Sequence, residues 1–282
     1  MKKLLSYFSP AEYALWGASV LLIALSFALF DRANYLTLCA SLIGATSLIF
    51  NAKGNPIGQA LTVVFSILYG IISYTFSYYG EMITYLGMTM PMAVFALVAW
   101  LKNPYKGNRA QVTVNRLKGK EILLMFAASA AITAAFCFIL DAFDTANIVP
   151  STISVTTSFL AVYLTFRRSP LYALAYAAND VVLIVLWILA TLEDFSYLSV
   201  VICFVMFLAN DIYGFVNWTR MRRKQAEADA PAAGETSSSG EAAPSGETCP
   251  PEALDGERGP PRAISPPLPP FSALRKPPLF SV

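Results

Sequence analysis

Apolar residues in this chain gather into eight long runs separated by short polar breaks, at 13–30, 34–50, 57–79, 82–101, 122–140, 146–166, 171–192 and 195–218. Each is close to the roughly 20 residues needed to cross about 30 Å of hydrocarbon, so the pattern predicts eight membrane-spanning helices. The first follows Lys2 and Lys3 in the manner of a signal peptide. Its apolar run is longer than a signal h-region and no A-x-A site follows it, so it reads as an uncleaved helix.

Within the runs the polar residues are sparse and regularly spaced. Gln59, Thr62, Ser66, Tyr69 and Ser73 recur in the third at steps of three and four, which puts them on one helical face. Tyr176, Asn179, Asp180, Trp187 and Thr191 form a similar stripe in the seventh. Tyr85, Thr89 and Met92 belong to the fourth span, and Asn210, Tyr213 and Asn217 to the eighth. A polar group inside a span is costly unless it meets a cavity or a partner. Asp180 lies roughly 15 Å into its helix, near the bilayer centre, at about 1.5 Å per residue. Asp211 follows Asn210 and points about 100° away from it, so one of the two faces a cavity; Asn210 is the expected one.

Charge in the breaks tests the span count. Lys2, Lys3, Lys53, six basic residues between 102 and 120, Arg167, Arg168 and the cluster at 220–224 all fall on one side. Asp31, Arg32, Glu81, Asp141, Asp144, Glu193 and Asp194 fall on the other. Basic residues accumulate on the cytoplasmic side, so both termini are expected there, in a multi-pass membrane protein.

Composition agrees: 56% of the 282 residues are apolar and 13% charged, against about 25% charged in a soluble domain. There is no histidine, and the four cysteines, Cys39, Cys137, Cys203 and Cys249, have no CxxC spacing. A disulfide framework, a metal site and a cofactor are not expected, and nothing points to nucleic acid. No phosphate loop is present. From Gln225 to the end, 12 of the 18 prolines accompany Ala, Ser, Gly and Glu without apolar periodicity. That segment is expected to be a disordered tail.

A weak internal repeat relates spans two to four to spans six to eight at an offset of 118 residues. It superposes Thr62 on Asp180, Tyr69 on Trp187, Ser73 on Thr191, Met88 on Met206 and Trp100 on Trp218. Both copies open their middle helix with a cap and a proline, Asn55-Pro56 and Ser169-Pro170, which requires a four-residue slip in that loop. Three helices per copy would leave the second inverted, and the fifth span restores its direction. The expected organisation is an N-terminal segment with an accessory helix (1–32), a first bundle (33–101), a loop and linker helix (102–145), a second bundle (146–224) and the tail (225–282).

The stretches Asn55-Pro56-Ile57-Gly58-Gln59, Tyr78-Tyr79-Gly80-Glu81-Met82, Trp100-Leu101-Lys102-Asn103-Pro104-Tyr105, Ala178-Asn179-Asp180-Val181-Val182 and Ile212-Tyr213-Gly214-Phe215-Val216-Asn217-Trp218 resemble the PnuC family of bacterial vitamin transporters over roughly 34–222. The resemblance implies an all-α, SWEET-like 3+1+3 parallel repeat that moves nicotinamide riboside by facilitated diffusion, with trapping by a cytoplasmic nicotinamide riboside kinase. Relatives in that family carry thiamine or riboflavin, and a homo-oligomer is compatible with it. A membrane enzyme or receptor built on Asp180 and Asp211 is disfavoured because only one of them is expected in the cavity.

For such a cargo, a flat pyridinium with a carboxamide and a ribose, Trp187 and Tyr69 are the expected aromatic wall. Gln59, Asn179, Asp180 and Asn210 are the expected hydrogen-bonding groups. Thr62, Ser66, Thr89 and Tyr213 complete the candidate binding set.

Overall fold

The computed structural model describes residues 7–75, 78–143 and 147–230. Lys2, Lys3, Asp144, Cys249 and the chain from 231 onward, including most of the expected tail, lie outside the described residues.

Among the described residues, eight helices are long and apolar enough to cross a membrane: α1 (Pro10–Phe30), α2 (Tyr35–Ala52), α3 (Pro56–Thr75), α4 (Tyr79–Lys102), α5 (Gly119–Ala142), α6 (Ile148–Phe166), α7 (Leu171–Thr191) and α8 (Leu198–Asp229). Outward-facing side chains such as Leu123 and Phe138 on α5 are apolar and exposed, as a lipid-facing surface requires. Helix α1 starts at a capping box. Ser9 Oγ accepts from the Glu12 N–H, and Glu12 Oε2 accepts from the Ser9 N–H at 2.7 Å. Helix α4 contains a π-helical turn at Thr84–Thr89, just before Pro91. A proline cannot donate the helical hydrogen bond, and the wider turn absorbs that loss.

Helices α2 to α4 form one bundle and α6 to α8 another, and the third helix of each packs on the first of the other. Two matched bonds tie these crossings. Trp100 Nε1 on α4 donates to the Thr165 carbonyl on α6 at 3.0 Å, and Trp218 Nε1 on α8 donates to the Asn51 carbonyl on α2 at 2.8 Å.

The turns after α2 and α6 also match. Asn55 N–H donates to Phe50 O as Ser169 N–H donates to Leu164 O, both at 3.0 Å, and Gly58 N–H bonds Asn55 O as Tyr172 N–H bonds Ser169 O. The backbone is left-handed at Gly54 (φ 68°) and at Arg168 (φ 57°). All these pairs are 114 residues apart, and both turns run directly into an unbroken helix. The offset of 114 therefore continues into α3 and α7, and the four extra residues fall in the connection that follows α7. This corrects the expected superposition: Thr62 matches Tyr176 and Tyr69 matches Leu183. Four residues are little more than one helical turn, so the polar stripes still coincide while their depth differs by about 6 Å.

Several boundaries move. Helix α8 continues to Asp229, so the first residues of the expected tail are helical, and Gln225 is buried. Between α4 and α5 a short hairpin, β1 (Pro104–Tyr105) with β2 (Asn108–Val112), qualifies the all-α expectation. Its Val112 is fully buried; its N–H donates to Gly54 O at 3.0 Å, and its carbonyl accepts from Gln225 Nε2 at 3.0 Å. Glu81, expected in an outer loop, is buried in the first turn of α4 because that helix begins at Tyr79; Ser154 Oγ on α6 donates to it at 3.3 Å.

Candidate functional site

Between the two bundles lies a cavity of about 50 Å³. Helix α2 contributes Ser47 and Asn51, α3 contributes Thr62 and Phe65, and α4 contributes Tyr85 and Thr89. From the other bundle come Ser158 on α6, Tyr172, Tyr176, Asn179 and Asp180 on α7, and Phe204, Phe207 and Asp211 on α8. Its polar lining consists of hydroxyls, amides and two carboxyl groups, with no Lys or Arg.

The spacing of polar residues finds six members of this lining, Thr62, Tyr85, Thr89, Tyr176, Asn179 and Asp180, of which Thr62, Thr89, Asn179 and Asp180 belong to the candidate binding set. Asn179 is held rigidly: its Oδ1 accepts from Thr157 Oγ1 at 2.8 Å and from Ser158 Oγ at 3.0 Å. Thr62 accepts from Asn51 Nδ2 at 3.2 Å. Gln59 stands one layer back, donating to Asn51 Oδ1 at 2.8 Å, so it positions a lining residue instead of lining the cavity itself. Ser66 is fully buried and satisfies the Thr62 carbonyl of its own helix at 2.8 Å, also outside the lining.

Tyr69 and Trp187 do meet, but on each other. Trp187 Nε1 donates to the Tyr69 hydroxyl at 3.0 Å, and the indole packs against Tyr78 and Tyr197. The pair bounds a separate crevice of about 10 Å³ toward the acidic end, which shares Phe65, Phe204 and Phe207 with the cavity. Trp187 is 1% exposed and packed in protein, so its ring does not face lipid. At the basic end Trp100, Trp218 and Tyr172 form the opposite layer, all nearly inaccessible. The cavity thus sits between two aromatic layers.

Asn210 and Tyr213 are corrected. Asn210 Nδ2 donates to Ser19 Oγ on α1 at 2.8 Å and to the Met206 carbonyl. Tyr213 donates to Glu12 Oε1 on α1 at 2.9 Å. Both face the accessory helix because α1 covers that side of α8. The rotation that turns Asn210 outward brings Asp211 into the cavity beside Asp180, so the expectation that no second acidic group converges there fails. Asp211, Ser47, Asn51, Ser158, Tyr172, Phe65, Phe204 and Phe207 are among the lining residues that the polar stripes omit. The aromatic ones carry no spacing signal distinct from core packing.

The sequence model for the nicotinamide mononucleotide transporter family matches residues 34–220, which spans α2 to most of α8 and excludes α1. The nicotinamide riboside transporter PnuC of Neisseria mucosa is 27% identical over 202 residues, covering 70% of this chain and 76% of the relative. The crystal structure of the vitamin B3 transporter PnuC superposes with a TM-score of 0.68 at 25% identity, over 77% of this chain and 94% of that one.

Proposed function

Because this chain belongs to the nicotinamide mononucleotide transporter family, we propose that it carries nicotinamide riboside across the bacterial inner membrane by facilitated diffusion. The observation that carries the choice of cargo is the cavity lining. The family's name specifies a mononucleotide, whereas the similar Neisseria protein is named for the riboside. A phosphate dianion needs basic groups or a helix N-terminus. Here it would meet Asp180 and Asp211 and no cation. A pyridinium nucleoside has the opposite requirement, which carboxyl groups and tyrosine faces meet.

In this reading Thr62, Thr89, Asn179, Asp180 and Asp211 surround the cargo, with Gln59 and Ser66 behind them. Tyr69 and Trp187 form the layer it crosses next. The cavity is smaller than a nucleoside, so the bundles separate to admit it. The excess of basic residues at the ends of α2, α4, α6 and α8 supports a cytoplasmic basic end, with a cytoplasmic kinase consuming the product there. The cargo crosses unchanged: although two carboxyl groups share the cavity, transported riboside should be recovered without release of free nicotinamide.

Titrating purified protein with nicotinamide riboside, its 5′-phosphate, thiamine and riboflavin side by side tests this reading. Nicotinamide riboside should bind and the phosphate should not. Equal binding of the phosphate, or exclusive binding of another vitamin, would overturn it.

A further inference from the structure

Asp180 on α7 and Asp211 on α8 both line the cavity, one from each of two packed helices, and each is 4% exposed. Two lining atoms are buried without any hydrogen-bond partner, Asp180 Oδ2 and, from the other bundle, Thr89 Oγ1. A buried polar atom left unpaired is expensive, so atoms of this kind facing a cavity mark where a ligand completes the set. No lining residue can supply a cation, and the Asn179 carbonyl oxygen is already taken by Thr157 and Ser158.

We infer that the Asp180–Asp211 pair makes this carrier select its cargo by formal positive charge, with Asp211 the specificity-determining partner that the family reading does not supply. The inference rests on the nicotinamide riboside reading and deepens it. A pyridinium nitrogen bears no proton, so it cannot give Asp180 Oδ2 a hydrogen bond; it compensates the pair through charge alone, more strongly in a desolvated cavity than in water. A neutral molecule with the same carboxamide and ribose can reach Thr89 and Asn179 but leaves the carboxyl pair uncompensated.

The test is a calorimetric titration of the purified full-length protein with nicotinamide riboside and with its 1,4-dihydro form, which keeps the carboxamide and ribose but has a neutral ring. The parent should prefer the cation by at least about tenfold, the effect of an opposite charge in a partly screened site. In Asp211→Asn, prepared monodisperse, that preference should fall to within about threefold, through loss of affinity for the cation. Asp211→Glu should restore much of it. A parent that binds both forms equally overturns charge selection while leaving the cargo reading intact. A parent that binds neither overturns the cargo reading itself. An equal loss of both forms in Asp211→Asn would make the residue structural and would also defeat the inference.

Discussion

Trp187 owes its position to a single donor. Its indole N–H reaches the Tyr69 hydroxyl, and its ring packs in a T-shaped contact with Tyr78 and a tilted one with Tyr197. Trp187→Phe keeps most of the packing but leaves a buried hydroxyl short of a partner, an expected cost of about 1–3 kcal/mol. Trp187→Ala also removes the packing, at about 3–5 kcal/mol. Thermal unfolding in detergent should rank parent, phenylalanine and alanine in that order. Coincident melting of all three would mean that this layer contributes nothing to holding the bundles. At this scale the sequence shows which residues share a helical face, but not which neighbour that face meets. Thr62 and Asp180 are recovered because α3 and α7 each pack chiefly on the two other helices of their own bundle, which leaves their polar stripes to the cavity. Helix α8 touches α1, α2 and α7, and a helical wheel has no means of assigning its polar residues among three neighbours. Asn210 goes to α1 and Asp211 to the cavity.

The accessory helix is more than an appendage. Its buried Glu12 accepts from Lys53 Nζ, beside the α2–α3 turn, at 2.9 Å and from Tyr213 on α8 at 2.9 Å, so one carboxylate joins the two bundles at their basic end. Trp16 adds a bond to Thr46 on α2, and Ser19 accepts from Asn210 on α8. A double-mutant cycle with Glu12→Gln and Lys53→Met should give a coupling of about 1.5–3 kcal/mol, the range for a hydrogen bond to a charged group. A coupling near zero would reduce α1 to a passive span. The helices themselves are legible because apolar length is a strong signal. The extension of α8 past the membrane is not: residues 219–229 are mostly polar, and the helix persists there because Gln225 bonds the Val112 carbonyl and the Val114 N–H of the hairpin segment. Contacts of that range, more than a hundred residues apart, leave no local trace.

For the molecule as a whole, the alternation of basic and acidic ends predicts sidedness. In a background lacking Cys39 and Cys137, cysteines placed beside Asp141 or Glu193 should react with an impermeant reagent from outside intact cells, and those beside Asn108 or Arg168 should not. Labelling of both sets from the same side would defeat the eight-span orientation. Glu81 is unsuitable as a marker, being buried against α6. In empty liposomes, uptake of nicotinamide riboside should stop at equal concentrations. Accumulation driven by an imposed proton or sodium gradient would instead assign the carboxyl pair to coupling. The two-bundle plan is visible in the sequence through the matched Trp100 and Trp218. The position of the four-residue insertion is not, since a shift of one turn preserves every stripe. The enclosed cavity, with Trp100, Tyr172 and Trp218 below it and Tyr69 and Trp187 above, has an electrical consequence. With these nearly inaccessible side chains on both sides of the cavity, the membrane around this protein should stay insulating while cargo passes one molecule per opening cycle. Motions of that kind take microseconds to milliseconds, so each cycle passes far less charge than a resolvable channel current would require. Planar bilayer recordings at saturating nicotinamide riboside should therefore show a flat baseline, and discrete current steps would reveal a pore.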